Sequence, residues 1–449
     1  DGATWKLTKP LYGQNLEIAN KLLINRILVH PLNENIIYAG TSAGLYKSID
    51  GGESWKLLSA LYCRDLEFNS SDPEKIIGAF REVSENKYIF SIAFVNPETG
   101  ELAKKIQFND VVRIALAVSK ADANTVYAIA AGNDMGFHSF LRSTDGGESW
   151  ETRARKGTHP NYLHYYTSGS GAGGQGLYDL AIVVDPKNPN NVFIAGVNVW
   201  KTGNGGSSFD LVTDWQGWTA PWIHADIHSL KYSPDGALYA CTDGGVNKTT
   251  NSGKNWTDLS NSLAITQFYK IDQYPGDESF IIGGTQDNGT HIKNGSSWSN
   301  ILGGDGMDCK IDYTNKQYLY ASMYYGSFWR STNGGTSFFY MLDDRTTGET
   351  GAWVSPIAMD PKDPAVMYVG LVNLWKTTTR GAQWEKIAFP SSNYKIDCIA
   401  LTEADASTIY ASSMNMLAVT HDGGKNWTIL FRAGAAISDI EADPKNKDR

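Results

Sequence analysis

A short motif recurs along the chain and restricts its fold more than any other feature. The motif reads Ser/Thr-x-Asp/Asn-x-Gly-x-x-Trp/Phe, with minor variation, and good copies begin at residues 48, 143, 202, 249, 331, 377 and 420. A worn copy begins at residue 291 and keeps Gly295 and Trp298. Apart from two longer intervals near the start, neighbouring copies begin 40 to 47 residues apart. A fixed period of this length is typical of a repeat protein whose units pack side by side.

Each copy of the motif follows the same series of short apolar segments. Second segments of the unit include 36–40, 192–196 and 366–370, and a last segment such as 56–58 follows the motif tryptophan. Four short strands per repeat predict a blade of a β-propeller. The 45 glycines and the 12% of aromatic residues fit a fold of many short strands and tight turns. We therefore predict an all-β propeller with four-stranded blades.

The motif itself predicts a turn that closes on a buried ring. The Asp or Asn side chain can accept hydrogen bonds from following backbone amides, and glycine adopts the left-handed conformation. The aromatic residue then buries a large ring. The residues predicted to have this structural role include Asp50, Trp55, Asp145, Trp150, Asn251, Trp256, Asn333, Phe338, Asp422 and Trp427.

These motifs resemble the Asp-boxes of sialidases, sortilin-type receptors and two-propeller xyloglucanases. A narrower resemblance covers residues 174–335, through Gly174-Gln-Gly-Leu-Tyr-Asp179, His224-Ala-Asp-Ile-His228, Gly283-Gly-Thr-Gln-Asp-Asn-Gly289 and Gly303-Gly-Asp-Gly-Met-Asp308. This region is similar to the secreted, sortilin-like propeller proteins of Bacteroidota, which commonly use type IX secretion. The resemblance implies an extracellular or cell-surface location. It implies a fold more strongly than a function, because functions reside in sites that differ within one fold.

The motif positions and one unit without a motif predict nine blades in a single large propeller over residues 1–449. The predicted blades are 9–58, 59–108, 109–156, 178–214, 224–260, 265–301, 305–342, 353–389 and 395–432. The ends 1–8 and 436–449 are predicted to be parts of a further blade, which gives nine to ten. The alternative is a slice of a two-propeller protein with seven-bladed rings. Because the chain opens inside a motif at Gly2 to Trp5, we expect that a precursor was trimmed and that its signal peptide is missing from this chain.

Composition excludes several classes of protein. The formal charge of −9 argues against a nucleic-acid partner. Without an apolar run of 18 or more residues, no membrane span is predicted. The cysteines form no Cys-x-x-Cys pair, so zinc and thioredoxin chemistry are disfavoured and buried free thiols are predicted. They are Cys63, Cys241, Cys309 and Cys398.

Strand direction predicts which face of the propeller carries function. Strands alternate in direction, so loops that enter a first strand share a face with hairpins that join second and third strands. This face gathers carboxylates, and the catalytic candidates are Asp179, Asp226, Asp287 and Asp305. The His224–Asp226–His228 strand and the loops with Asp243, Asp287 and Asp305 are predicted to form one surface.

Three interpretations of these residues stay open. The carboxylates could bond backbone amides between blades. His224, Asp226 and His228 could bind a transition metal, since alternate residues of a strand share a face, and carboxylates alone would suit calcium. The predicted fold requires no cofactor, and the bound ion could be calcium or a transition metal. Paired carboxylates could also form a glycosidase active site.

Long insertions on the same face carry aromatic residues, which suit glycan or polypeptide binding. The ligand-binding candidates are Tyr165, Tyr166, Trp215, Trp218, Trp222 and Trp353. The leading hypothesis is a secreted or cell-surface propeller that binds a glycan or polypeptide, and is not an enzyme. One alternative is a glycoside hydrolase of the Asp-box type. The other is an assembly or structural factor that contacts other cell-surface proteins.

Overall fold

The computed structural model describes residues 4, 11, 22–85, 87–391 and 394–449. Nine four-stranded antiparallel sheets form this part of the chain, and each has its strands in sequence order across the sheet. The predicted all-β propeller architecture with four-stranded blades is confirmed. The chain divides into two compact units, which we call unit 1 (Asp1–Leu263) and unit 2 (Ala264–Arg449).

Unit 1 contains blades 1 to 5. Their strands are β1 Ile24–His30, β2 Asn33–Thr41, β3 Gly44–Ser48, β4 Lys56–Ser59; β5 Tyr62–Phe68, β6 Ile76–Ser84, β7 Lys87–Val95, β8 Leu102–Phe108; β9 Val111–Val118, β10 Val126–Gly132, β11 Phe137–Ser143, β12 Glu151–Arg155; β13 Ala181–Val184, β14 Val192–Ala195, β15 Val199–Thr202, β16 Asp210–Leu211; β17 Ile227–Tyr232, β18 Leu238–Thr242, β19 Gly245–Thr249 and β20 Thr257–Asp258. The first strands of successive blades, β1, β5, β9, β13 and β17, contact one another in that order.

Unit 2 contains blades 6 to 9. Their strands are β21 Phe268–Gln273, β22 Ile281–Thr285, β23 Gly289–Asn294, β24 Ser297–Leu302; β25 Gly306–Ile311, β26 Leu319–Met323, β27 Ser327–Ser331, β28 Phe339–Leu342; β29 Ile357–Met359, β30 Met367–Gly370, β31 Leu374–Thr377, β32 Glu385–Ile387; β33 Cys398–Leu401, β34 Ile409–Ser413, β35 Met416–Thr420 and β36 Thr428–Arg432. A 3₁₀ turn spans Tyr324–Gly326, and helix α1 spans Asp344–Thr347. No helix among the described residues is long and apolar enough to cross a membrane.

The middle strands of a blade bury both faces, and strand β10 shows how. Alternate residues of a strand point to opposite faces of the sheet. Tyr127 and Ile129 therefore join a core with blade 4, whereas Ala128 and Ala130 join a core with blade 2. The apolar run of β10 is fully buried because a neighbouring blade covers each face.

The motif turns are held by a serine or threonine hydroxyl as well as by the Asp or Asn. In blade 3 the Ser143 Oγ accepts a hydrogen bond from Gly147 N at 2.8 Å, and Asp145 Oδ1 accepts one from Ser149 N at 2.9 Å. Hydrogen bonds from the Ser149 hydroxyl, the Ser149 amide and the Ser143 hydroxyl lower the pKa of the Asp145 carboxyl to about 2. The same pattern recurs at the boxes of Asp50, Asn251, Asn333 and Asp422.

In six of the seven good motifs, the aromatic residue that closes the turn packs against a core; Trp55 is partly buried. Trp150, for example, lies against the core shared by blades 2 and 3 and donates its indole N–H to Gly147 O at 3.0 Å. Trp256, Phe338 and Trp427 are placed in the same way against their own cores.

Blades that lack a good motif close differently. In blade 2 the Asn96 side chain accepts hydrogen bonds from Glu98 N and Thr99 N. In blade 6 the worn motif is a tight hairpin in which Asn294 pairs with Ser297. Both connections supply a turn by local hydrogen bonding, which is the function that the motif has elsewhere.

Some predictions at the chain ends and cysteines need comment. The remnant at residues 2–5 and the end piece 1–8 lie, apart from Thr4, outside the described residues. Segment 437–444 has no strand pairing, although Ile440 and Ala442 pack against blade 9, so a tenth blade stays a prediction. All four cysteines are free, but the predicted burial is wrong for Cys241, which is exposed.

Candidate functional site

In unit 1 the loop that enters blade 4 carries both aromatic and acidic candidates. Its fold depends on Asn161, whose Nδ2 donates to Gly173 O at 2.6 Å and whose Oδ1 accepts from Phe137 N at 2.8 Å. Tyr162 and Leu163 anchor the loop in the core with blade 3. Gly174 sits where a Cβ would lie 2.6 Å from Leu163 O, so only glycine fits without a shift.

Asp179, at the end of this loop, is a buried carboxyl without a donor. It has no exposed surface, and no N–H or O–H group of another described residue donates to either oxygen. Burial, followed by the charge of neighbouring Asp226, raises the pKa of Asp179 to about 9. Asp179 therefore holds its proton at neutral pH, as expected for a buried carboxyl near a second carboxyl.

Asp226 connects this buried acid to the next blade. Its φ of +62° lies in the left-handed region, which Asp tolerates better than most residues. Gln175 Nε2 donates to Asp226 Oδ1 at 2.7 Å. Burial and the charge of Asp243 raise the pKa of the Asp226 carboxyl. The backbone turn thus directs the Asp226 side chain toward blade 4, where its neighbours are Asp179 and Gln175.

Asp243, on the hairpin between β18 and β19, accepts two strong hydrogen bonds. His228 Nε2 lies 2.7 Å from Asp243 Oδ1, and the Tyr178 hydroxyl donates to Asp243 Oδ2 at 2.7 Å. The rings of Tyr178 and His228 meet edge to face, with centroids 4.8 Å apart. Although burial alone would raise it, these bonds from His228 and Tyr178 lower the pKa of Asp243. We call Asp179, Asp226, Asp243, His228 and Tyr178 the acidic cluster.

The predicted metal set of His224, Asp226 and His228 is not formed. Strand β17 begins only at Ile227, and the left-handed Asp226 breaks the alternation that would put the three side chains on one face. His224 Nδ1 lies 3.0 Å from Ala225 O, and His228 bonds Asp243 instead. Among the described residues, no group of three His, Cys, Asp or Glu side chains could hold a metal ion. Calcium or another metal elsewhere stays an untested expectation.

The loop that enters blade 4 also carries exposed aromatic residues, which meet a tryptophan of the next loop. Tyr165 and Tyr166 contact each other with centroids 4.2 Å apart, and are 46% and 52% exposed. Trp215, from the loop that enters blade 5, donates its indole N–H to Tyr165 O at 3.0 Å. Buried Asn198 accepts from Trp215 N at 3.1 Å and donates to Tyr165 O at 3.4 Å. We call Tyr165, Tyr166 and Trp215 the aromatic group.

Trp218 and Trp222 lie further along the Trp215 loop. Buried Asp214 accepts hydrogen bonds from Trp218 N and Thr219 N at 3.0 and 2.9 Å, which fixes the turn. Trp218 is 78% exposed and Trp222 is 55% exposed. Both rings are therefore presented to solvent by a loop whose backbone is held in place.

In unit 2 the remaining candidates form two separate contacts. Asp287 N donates to Asp305 Oδ1 at 2.7 Å, so these two aspartates are linked through the backbone. Trp353 stacks on Tyr324 with centroids 5.8 Å apart and donates to the Tyr269 hydroxyl at 3.0 Å. That the candidates of both units share one surface stays a prediction.

Sequence reasoning did not assign several residues that build the unit 1 site. Gln175 and Tyr178 stand in the quoted loop motif but were given no contact there. Asn198 and Asp214 had no recognised role, although buried polar residues in loops usually satisfy backbone groups. Both residues lie next to loops rich in aromatic residues in the sequence, and that position is the signal by which their roles could have been predicted.

Nine four-stranded antiparallel sheets define an all-β protein of the β-propeller class. The chain matches no protein-family model and no curated protein. Among solved structures it is similar to a GH74 enzyme of Niastella koreensis, at 18% identity over 90% of this chain and 68% of that one, with a TM-score of 0.32. It is also similar to a GH74 xyloglucanase of Xanthomonas campestris, at 15% identity over 94% of this chain and 71% of that one, with a TM-score of 0.33. The extracellular domain of a hybrid two component system of B. thetaiotaomicron is similar at 12% identity over 94% of this chain and 62% of that one, with a TM-score of 0.33. Values this low carry no function to the chain.

Proposed function

We propose that unit 1 binds a carbohydrate across the aromatic group and the acidic cluster, as a secreted or cell-surface recognition protein. The observation that carries this proposal is the exposed Tyr165–Tyr166 pair, whose backbone is fixed by Trp215 and Asn198. Rings that are already ordered bury ligand surface with little loss of conformational entropy.

The acidic cluster supplies the polar half of such a site. Ionised Asp243 keeps acceptor capacity beyond its two hydrogen bonds, and Asp226 is partly exposed. Carboxylates accept hydrogen bonds from sugar hydroxyls, while aromatic faces contact the apolar faces of sugar rings. The loop 161–179 joins both surfaces, so one ligand can contact both. The sortilin-like resemblance supports work outside the cell, with type IX secretion as the route.

Binding to a panel of neutral and acidic oligosaccharides, followed by calorimetry, tests this proposal. Tyr166→Ala should weaken binding about tenfold, the usual loss at an aromatic hot spot. Tyr88→Ala, which removes an equally exposed tyrosine from strand β7 in blade 2, is the matched control and should leave affinity unchanged. Equal effects of the two variants, or binding of peptides and of no glycan, would overturn the proposal. In the second case the polypeptide alternative takes its place.

Hydrolysis is the second candidate, and the Asp179–Asp226 pair favours it. A carboxyl that stays protonated and a second, ionised carboxylate are the acid and the base that glycosidases use, with the two groups about 5 Å or more apart. Because Asp179 has no exposed surface, Asp226 would be the group that meets substrate. Release of reducing ends that is lost in Asp226→Asn, with binding retained, would establish an enzyme. Binding without any product would leave recognition as the function, and the role as an assembly factor for other surface proteins would remain the third hypothesis.

A further inference from the structure

A cavity of about 800 Å³ opens along the first strands of the five blades of unit 1. Strands β1, β5, β9, β13 and β17 each contribute to its wall. These are the strands that contact one another from blade to blade. The cavity is therefore built by the repeat itself, and its chemistry depends on the few polar residues that replace apolar ones on these strands.

Cations outnumber carboxylates on the cavity wall. The charged lining residues are Arg26, Arg64, Arg113, Lys120, Lys231 and the two acids Asp65 and Glu67. Arg26 lies 3.3 Å from Asp65 and also pairs with Glu67, so it uses both acids. The other four cations form no salt bridge with any carboxylate of the described residues, although the charge of Lys231 acts on Glu67 and that of Asp65 acts on Arg113. An excess of positive charge is unexpected here, because the chain as a whole carries −9.

Two of these cations, Arg64 and Arg113, lie side by side. Arg113 donates to the carbonyl oxygens of Leu177, Tyr178 and Leu180 at 3.1, 2.8 and 3.1 Å. Arg64 also donates to Leu177 O, at 3.4 Å, and to Asn25 Oδ1 at 2.8 Å. Burial and then the charge of Arg64 lower the pKa of Arg113 to about 10, so Arg113 stays charged at neutral pH.

The contacts of these arginines hold the two groups without neutralising them. Carbonyl and amide oxygens carry only partial charge, so two like charges remain close together beside a cavity. A guanidinium has five N–H donors, and the bonds above leave at least two on Arg113 and three on Arg64. The planar fork of arginine matches the oxygens of a carboxylate, sulfate or phosphate.

We propose that the Arg64–Arg113 pair and the lysines of this cavity form a binding site for an anionic group, a carboxylate or a sulfate. The site adjoins the acidic cluster, because His228 lines the same cavity and Arg113 bonds the carbonyl oxygen of Tyr178. It uses different side chains from the aromatic group, so the two kinds of binding can be tested apart. Its ligand is the acidic group of a sugar acid or of a sulfated molecule.

Calorimetric titration with sodium glucuronate and with sodium sulfate tests the site, at ionic strength held constant with sodium chloride. The variant Arg64→Gln should bind the active probe about tenfold more weakly, as expected for loss of a charge-assisted hydrogen-bond donor. Arg155→Gln removes an exposed arginine of the same unit that does not line the cavity, and should bind as the wild type does. Binding of glucuronate alone identifies a carboxylate site, and binding of sulfate alone identifies a sulfate site.

Arg113→Gln also removes three bonds to the backbone, so a second variant separates folding from binding. Lys231→Gln changes an exposed lysine of the wall and should weaken the probe about twofold while the melting temperature stays constant. Glucose serves as the neutral probe and should not compete. If neither anion binds, or if Arg64→Gln and Arg155→Gln behave alike, the site does not exist. Loss of anion binding with glycan binding retained would leave the proposed function standing.

Discussion

Asp308 in unit 2 and Asp179 in unit 1 are both buried aspartates at the inner side of a blade, yet their surroundings are opposite. Asp308 Oδ1 accepts from Cys309 N and its Oδ2 accepts from Ile357 N, each at 2.8 Å. Asp179 receives no donor from another described residue. One carboxyl therefore joins two blades, whereas the other is a buried acid beside a second carboxyl. The same residue type at a similar place in the repeat can be structural or chemically poised.

The Asp308 arrangement recurs in both units. Asp65 Oδ2 accepts from Leu116 N at 2.8 Å, and Asp272 Oδ2 accepts from Ile311 N at 2.7 Å. In each case the carboxylate of one first strand bonds the backbone of the next. The structural interpretation of the inner carboxylates describes these residues well, and Asp179 is the exception that marks the candidate site.

The largest expected effect is on Asp308. Asp308→Ala should lower the free energy of unfolding by about 3 kcal/mol, because two buried N–H groups lose their acceptor. Asp344→Ala, an exposed aspartate of helix α1, is the control and should change stability little. Urea unfolding curves of the three proteins measure both effects. A loss as small as that of the control would remove the contrast with Asp179.

Asp179→Asn should act in the opposite direction and depend on pH. The folded pKa of about 9 lies above the unfolded value near 4, so the contribution of Asp179 to stability is complete below about pH 4 and is lost as pH rises toward 9. Between pH 5 and pH 8 the wild type should therefore lose about 4 kcal/mol of unfolding free energy that the uncharged variant keeps. Unfolding free energies of both proteins at the two pH values provide the measurement. Parallel pH profiles would show that Asp179 is not protonated in the fold.

The smallest expected effect concerns the motif turns, and it compares how much one turn stabilises the fold in each unit. Ser143→Ala in unit 1 and Ser331→Ala in unit 2 each remove a buried hydroxyl that accepts from a glycine amide, at 2.8 and 2.9 Å. Each should cost about 1 kcal/mol. Thermal and urea unfolding of the two variants give the comparison. A large loss of unfolding free energy in only one of the variants would mean that the motif turns do not stabilise the two units equally.

Much of the fold and part of the site could be predicted from sequence. The period of the motif predicted the four-stranded sheets, and strand direction placed Asp226 and Asp243 near each other within unit 1. The metal set failed because the alternation rule holds only inside a strand, and Asp226 precedes strand β17 with a left-handed backbone. The motif names the Ser143 position, but the pattern alone does not show that its hydroxyl accepts from Gly147 N.

The sequence by itself determined the local structure, namely the strands, the motif turns and the aromatic residues that close them, because each is marked by a pattern within a few residues. Only the tertiary structure decided which polar groups meet. Tyr178 reaches Asp243, and Arg113 reaches Leu177, across more than sixty residues of chain. Whether a carboxyl such as Asp179 finds a donor depends on distant segments, and burial then amplifies the result, because an unpaired charge costs far more away from water. That dependence makes its pKa a property of the fold.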